Sequence, residues 1–231
     1  MKLVVKNGPV GKLFRTLGFI LVLVPSVYFG SIMIEGLSFV VTELGFLESI
    51  VKPIIEILDF IEVGYYALAW AVGLILLVWT LRKGIIARVL TTVLLLVLVV
   101  VAIKSYFIHI VPLYIIASPP WLFDGLDIIF DLIKPILDIS KYILMGIYVA
   151  TFFMLWYVFA YKRPVKISVL FLRIGSLIFF IGLLVWFIGY EIDPQLISSQ
   201  TFLTAVFGIF GFSHVLYAIG SAVGVIGFAT K

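Results

Sequence analysis

Polar residues are sparse in this chain, and where they cluster their spacing is regular. In residues 124–141, DGLDIIFDLIKPILDISK, they fall at Asp124, Asp127, Asp131, Lys134, Asp138 and Lys141. These separations alternate between three and four, so at about 100° per residue the polar side chains share one narrow helical stripe. Nearly everything else in the segment is Ile, Leu or Phe. A diverged copy precedes it: Lys52-Pro53-Ile54-Ile55-Glu56 answers Lys134-Pro135-Ile136-Leu137-Asp138, and Glu48, Lys52, Glu56, Asp59 and Glu62 form its stripe. The pattern predicts two amphipathic, acidic helices. A helix lying flat in a membrane interface normally carries a broad, cation-rich polar face. These stripes are narrow and acidic, which predicts helices packed against other helices or a partner subunit, with Lys134 and Asp138 paired one turn apart. Pro53 and Pro135 are expected where an incoming segment turns into a spanning helix.

Around these two segments run long apolar windows. A stretch of about 20 apolar residues crosses the hydrocarbon core of a bilayer, and six such windows occur, near 16–34, 63–81, 86–107, 142–161, 167–190 and 202–228. Pro25 predicts a kink in the first. Lys104 and Arg173 lie close enough to span ends to reach an interface.

The charges orient the spans. All twelve acids fall on one side of this arrangement, whereas twelve of the sixteen Lys and Arg residues fall on the other. The positive-inside rule therefore places both termini in the cytoplasm. Three in-out-in hairpins result. Each outgoing span opens with an arginine, in LFRTLGF, IARVLTT and FLRIGSL, and each returning span ends before cations, in VWTLRKG, VFAYKRP and GFATK. These echoes and the shared Lys-Pro motif predict internal repeats at about 4–83, 84–163 and 164–231, the third truncated. The basic start followed by an apolar run reads as a retained first span, because the run is too long for a signal-peptide core and no small-residue cleavage site follows.

Composition agrees. Mean hydropathy is +1.31, and 64% of residues are hydrophobic against 12% charged, where soluble domains carry roughly a quarter charged residues. Lipid is the expected solvent. The net charge of +4 belongs to span ends and gives no sign of nucleic-acid binding. With no cysteine, disulfides, thiolate metal sites and a cysteine nucleophile are excluded. Abundant Ile and Val suit a prokaryotic origin, with an archaeal cell or viral envelope membrane among the settings.

Candidate chemistry is thin. Asp124, Asp127 and Asp131 present hard oxygen ligands of the kind calcium or magnesium takes, but a solvated helix face explains them more simply. His109 and His214, the two histidines, are candidate haem ligands whose plainer role is structural hydrogen bonding. Gly220 and Gly224, with Ala218, Ala222 and Gly227, make a small-residue face suited to close helix approach, within the chain or against another subunit. No nucleophile elbow and no phosphate-binding glycine loop appears. The sequence therefore predicts an all-α membrane protein of six transmembrane helices in three tandem hairpins, with amphipathic helices on the outer side. The expected role is that of a non-catalytic integral subunit, without cofactor, that scaffolds or anchors a larger assembly. Its partners would be the bilayer and other integral subunits or a second copy, contacted through Asp127, Asp131, Lys134, Asp138, Glu56, Asp59, Gly220 and Gly224. The alternative is a channel or transporter for a small solute or ion.

Overall fold

The computed structural model describes residues 9–59, 63–81, 84–99, 142–143, 145–159, 167–192 and 199–229. These residues are all helical apart from short connections, with no strand among them. In chain order the helices are α1 (Pro9–Val40), α2 (Phe46–Leu58), α3 (Val63–Leu81), α4 (Ile85–Val99), α5 (Met145–Phe159), α6 (Ile167–Ile192) and α7 (Gln200–Ala229). A single 3₁₀ turn, Thr42–Leu44, joins α1 to α2. Three helices, α1, α6 and α7, are long and apolar enough to cross a membrane, while α3, α4 and α5 are apolar but shorter over the described residues.

One of the expected proline effects is revised. Helix α1 continues through Pro25, which is buried. Pro53 lies in the interior of α2 and does not open a spanning helix. Its missing N–H leaves the Ser49 carbonyl without a helical donor, which an exposed stretch tolerates because water can replace the bond. The chain turns instead before Phe46 and after Leu58. The stripe of residues 124–141 lies outside the described residues.

Helix α1 packs most extensively on α7, then on α3, and α6 packs on α7. Glycines set the closest of these contacts. At the α1–α3 crossing, a Cβ added to Gly73 would sit 2.9 Å from the Gly18 carbonyl oxygen, and one added to Gly18 would sit 3.1 Å from the Gly73 carbonyl oxygen. Backbone meets backbone there. Along α6, Ser168, Gly175, Gly182 and Gly189 recur every seventh residue and face α7: Gly175 against Ser213 and Tyr217, Gly182 against Ile209 and Phe210, and Gly189 against Phe202. A seven-residue period keeps one seam facing a neighbour over several turns. Small residues on that seam admit the large α7 side chains, the association mode expected where lipid removes any hydrophobic drive between helices.

Polar side chains add cross-helix ties. Ser213 donates to the Gly175 carbonyl at 2.9 Å. The Ser176 hydroxyl gives its proton to the Leu172 carbonyl at 2.8 Å, so in the 2.6 Å contact with Tyr217 the phenol is the donor. Trp79 Nε1 donates to Thr92 Oγ1 at 2.8 Å, joining α3 to α4, and the Arg88 guanidinium lies over the same indole ring, 5.6 Å from its centroid.

The packing segregates charge. The end of α1 bearing Lys12 and Arg15 abuts the end of α3 through Gly18, Leu76 and Leu77, and the end of α7 through Phe19 and Gly224. Arg88 joins the same end through Trp79. Arg173 joins it through the contact of Gly220 with Phe171 and Leu172. Glu35, Glu43, Glu48, Glu56 and Asp59 occupy the opposite end, where Gln200 donates to the Val40 carbonyl at 2.8 Å and ties α7 to α1. Among the described residues, these acids share one end with Lys52, and Lys12, Arg15, Arg88 and Arg173 lie at the opposite end, in line with the charge asymmetry read along the chain.

Candidate functional site

The centre of the bundle is built on Trp70 of α3. Its Nε1 donates to Ser26 Oγ of α1 at 3.1 Å, which fixes the indole so that its faces and edges meet rings from three other helices. Ring centroids lie 5.8 Å away at Phe152 of α5, 6.4 Å at Phe179 of α6, 6.0 Å at His214 of α7 and 5.2 Å at Tyr217 of α7. Phe152 and Phe179 stack at 3.9 Å with planes 11° apart. The edge-on Phe179 to His214 contact is 5.5 Å at 89°, and Phe29 of α1 lies 5.6 Å from the imidazole on another side. Aromatic quadrupoles favour such tilted and edge-on arrangements.

Beside these rings lies a partly open cavity of about 240 Å³. Each of α1, α3, α4, α5, α6 and α7 contributes to its wall. Among the described residues, hydrocarbon and ring surface dominate that wall, and the residues with polar side-chain atoms are His214, Tyr148 and Trp70, whose Nε1 is held by Ser26.

His214 is 6% exposed, and its Nδ1 is buried with no hydrogen-bond partner. This corrects the structural hydrogen-bonding role expected for it. The reason is its company: the rings of Phe29, Trp70 and Phe179 pack against the imidazole and offer no lone pair in its plane. A Cβ at Gly30 would come within 3.3 Å of the His214 Cβ, so α1 leaves no room for a longer side chain to reach across. Leaving such a group unpaired costs about 1–3 kcal/mol. His109, the other candidate ligand, and Asp124, Asp127, Asp131, Lys134 and Asp138 lie outside the described residues.

Gly220 and Gly224 face the chain's own helices. A Cβ on Gly220 would sit 2.8 Å from the Ser168 carbonyl oxygen of α6, and one on Gly224 would sit 2.6 Å from the Phe19 ring of α1. Of the two roles open to this small-residue face, the structure uses the intramolecular one, so these glycines offer nothing further to a partner.

The second candidate surface is α2, at the acidic end. Glu48, Lys52, Glu56 and Asp59 form an exposed ridge, while Val51 is buried against the bundle. Two phenols hold the helix's C-terminus: Tyr66 donates to the Leu58 carbonyl at 2.6 Å and Tyr28 to Asp59 Oδ1 at 3.3 Å, and the two rings stack 4.4 Å apart. Asp59 is thus tied inward as well as exposed. About a third of a turn from the buried face, Phe46, Ile50 and Ile57 are 57–69% exposed. The helix therefore has three faces, one to the bundle, one charged and one apolar and open. The sequence pattern shows the charged ridge but cannot separate the two apolar sectors, which only docking on α1 and α3 distinguishes.

Also missed from the sequence were Ser26 and the α6 glycines. The recurrence at 168, 175, 182 and 189 was available as a signal in the sequence. The Ser26–Trp70 bond, across 44 residues, had none.

Over the described residues, fold and site together define an all-helical bundle, three of its helices long and apolar enough to cross a membrane, around an aromatic, histidine-bearing centre. Compared with known protein families, curated proteins and solved structures, the chain gives no significant match.

Proposed function

We propose that this chain is a non-catalytic, multi-pass integral membrane subunit that scaffolds or anchors a larger membrane assembly. In this reading six spans form three tandem hairpins, in repeats at about 4–83, 84–163 and 164–231, with both termini cytoplasmic. The observation that carries it is α2. A helix held to the bundle by Tyr28 and Tyr66, with a charged ridge and a separate apolar face both uncovered, is a rigid, two-sided platform. Contiguous exposed apolar surface of that kind, rimmed by charge, is what contact surfaces present.

Isolation of the chain in mild detergent should recover stoichiometric integral membrane partners, or further copies of itself. Glu56→Lys, which reverses one charge on the exposed ridge, is expected to weaken that association at least severalfold while leaving insertion and thermal stability unchanged. Recovery of a monomer alone, in quantity and folded, would remove the basis for a scaffold.

Topology has its own check. Since the chain contains no cysteine, single cysteines report cleanly. Ser49→Cys, on exposed α2, should react with an impermeant thiol reagent applied outside cells, whereas Gly84→Cys, exposed at the cationic end, should react only after permeabilisation. The reverse pattern would invert the orientation.

The second reading, a channel or transporter for a small solute, draws on one specific observation, the cavity where six helices meet. Solute flux into liposomes holding this chain alone would favour it, because a scaffold by itself conducts nothing.

A further inference from the structure

The cavity carries an inference independent of the scaffold reading. Three features of its wall bear on what could fill it. The first is volume: an apolar cavity of about 150 Å³ takes one benzene ring, so 240 Å³ is the size for two fused rings. The second is surface. Phe29, Trp70, Phe152 and Phe179 present faces and edges to the space, which suits a flat aromatic occupant over a branched aliphatic one. The third is His214, buried to more than nine-tenths and lining the space; its Nδ1 is closed off and unbonded, which leaves the ring's other nitrogen as the one a ligand can meet.

Water alone answers this poorly. A buried water makes two to four polar contacts, and among the described wall residues only His214 and Tyr148 remain for it, the bare minimum, since the Trp70 N–H is already given to Ser26. Among the described residues of the wall there is no ionised group to compensate a charged ligand, which favours a neutral one. One hydroxyl is sufficient. It donates to an imidazole nitrogen in one tautomer and accepts from it in the other.

The geometry points to a ligand site at the bundle centre for a small, neutral, planar bicyclic aromatic molecule bearing a single hydroxyl, held by ring packing against Trp70, Phe152 and Phe179 and by one hydrogen bond to His214. Such a molecule reaches the site from the bilayer, in which it dissolves.

The test uses the full chain in lipid nanodiscs, with 2-naphthol and naphthalene as probes. Titration calorimetry should show saturable 2-naphthol binding about tenfold tighter than naphthalene, the ratio that satisfying one buried polar group supplies. His214→Phe, close in shape, should bring the two affinities within about twofold. Ala71→Leu, which places extra volume in the wall, should weaken both at least tenfold. Should the His214 variant fail to fold, the unsubstituted ring is read directly: in a His109→Asn background, the imidazole nitrogen resonances of His214 should shift on adding 2-naphthol and not on adding naphthalene. Equal wild-type affinities, binding undiminished by Ala71→Leu, or unmoved His214 resonances would each overturn the assignment. None of these outcomes alters the partner-isolation result, so the ligand site and the scaffold role stand or fall separately.

Discussion

Trp70→Ala is expected to lower the unfolding free energy by about 3 kcal/mol, at the lower end of the cost usually found for emptying an aromatic core position. The lower end applies because lipid is as apolar as the core, so the water-transfer part of the usual penalty is missing and the loss is one of packing. That loss is large here. The indole touches rings on α5, α6 and α7 and is bonded to α1, so its removal enlarges the existing cavity and loosens four helices at once. Trp70→Phe keeps most of the ring contacts and gives up the bond to Ser26, a cross-helix bond of a type measured at about 0.6 kcal/mol on average in membranes. Thermal or denaturant unfolding in mixed micelles, comparing the two variants, separates packing from hydrogen bonding. An alanine variant as stable as the parent would show that the central rings do not hold the bundle together.

Gly73→Leu should have an equal or larger effect, by the opposite mechanism. A bare Cβ at this position already falls 2.9 Å from the Gly18 carbonyl oxygen, from Leu21 Cβ and from Val22 Cγ2. The first of these is backbone and cannot rotate away, so Ala alone is expected to cost about 1–3 kcal/mol by overpacking. Leu would have to separate α1 from α3 altogether. Gly208 supplies the control, since a Cβ there meets nothing within 4 Å. Gly208→Ala should be neutral or slightly stabilising, because alanine is favoured over glycine in a helix by about 1 kcal/mol. The contrast is read by the fraction of folded monomer on size-exclusion chromatography and by thermal unfolding. If the two alanine variants behave alike, close backbone approach does not set the α1–α3 crossing.

The two predictions show which parts of the architecture were legible in advance. Charge-free windows announced α3, α6 and α7 within two residues of their observed bounds and the middle of the longer α1, because a helix that crosses lipid has to be apolar all round and that requirement is written in composition. The charged ridge of α2 was equally visible, its period being that of the helix itself. Segregation of Lys12, Arg15, Arg88 and Arg173 from Glu35, Glu43, Glu48 and Glu56 followed from the same counting, and antiparallel packing of neighbouring helices realises it in three dimensions. Pro53 was misjudged, because a proline's local penalty is small beside the packing of the helix that contains it. His214 was misjudged for a related reason. Its hydrogen-bonding capacity is a property of the residue, whereas the aromatic rings around it come from α1, α3 and α6.

What the sequence determined by itself is therefore the polarity of each segment: apolar throughout for the long helices, as crossing a bilayer requires, and polar for the ridge of α2, with the acids and most of the cations at opposite ends. These are one-dimensional properties, fixed by residue type and period. Which helices touch, and through which atoms, was decided by the tertiary structure alone. Among apolar helices in an apolar solvent no transfer energy chooses the neighbour. The choice falls to fit, to Gly18 against Gly73, to the glycines of α6 under the rings of α7, and to the one indole whose N–H finds Ser26. Fit depends on side chains from several helices at once, and so the cavity and the unpaired imidazole in its wall exist only when all six helices are in place.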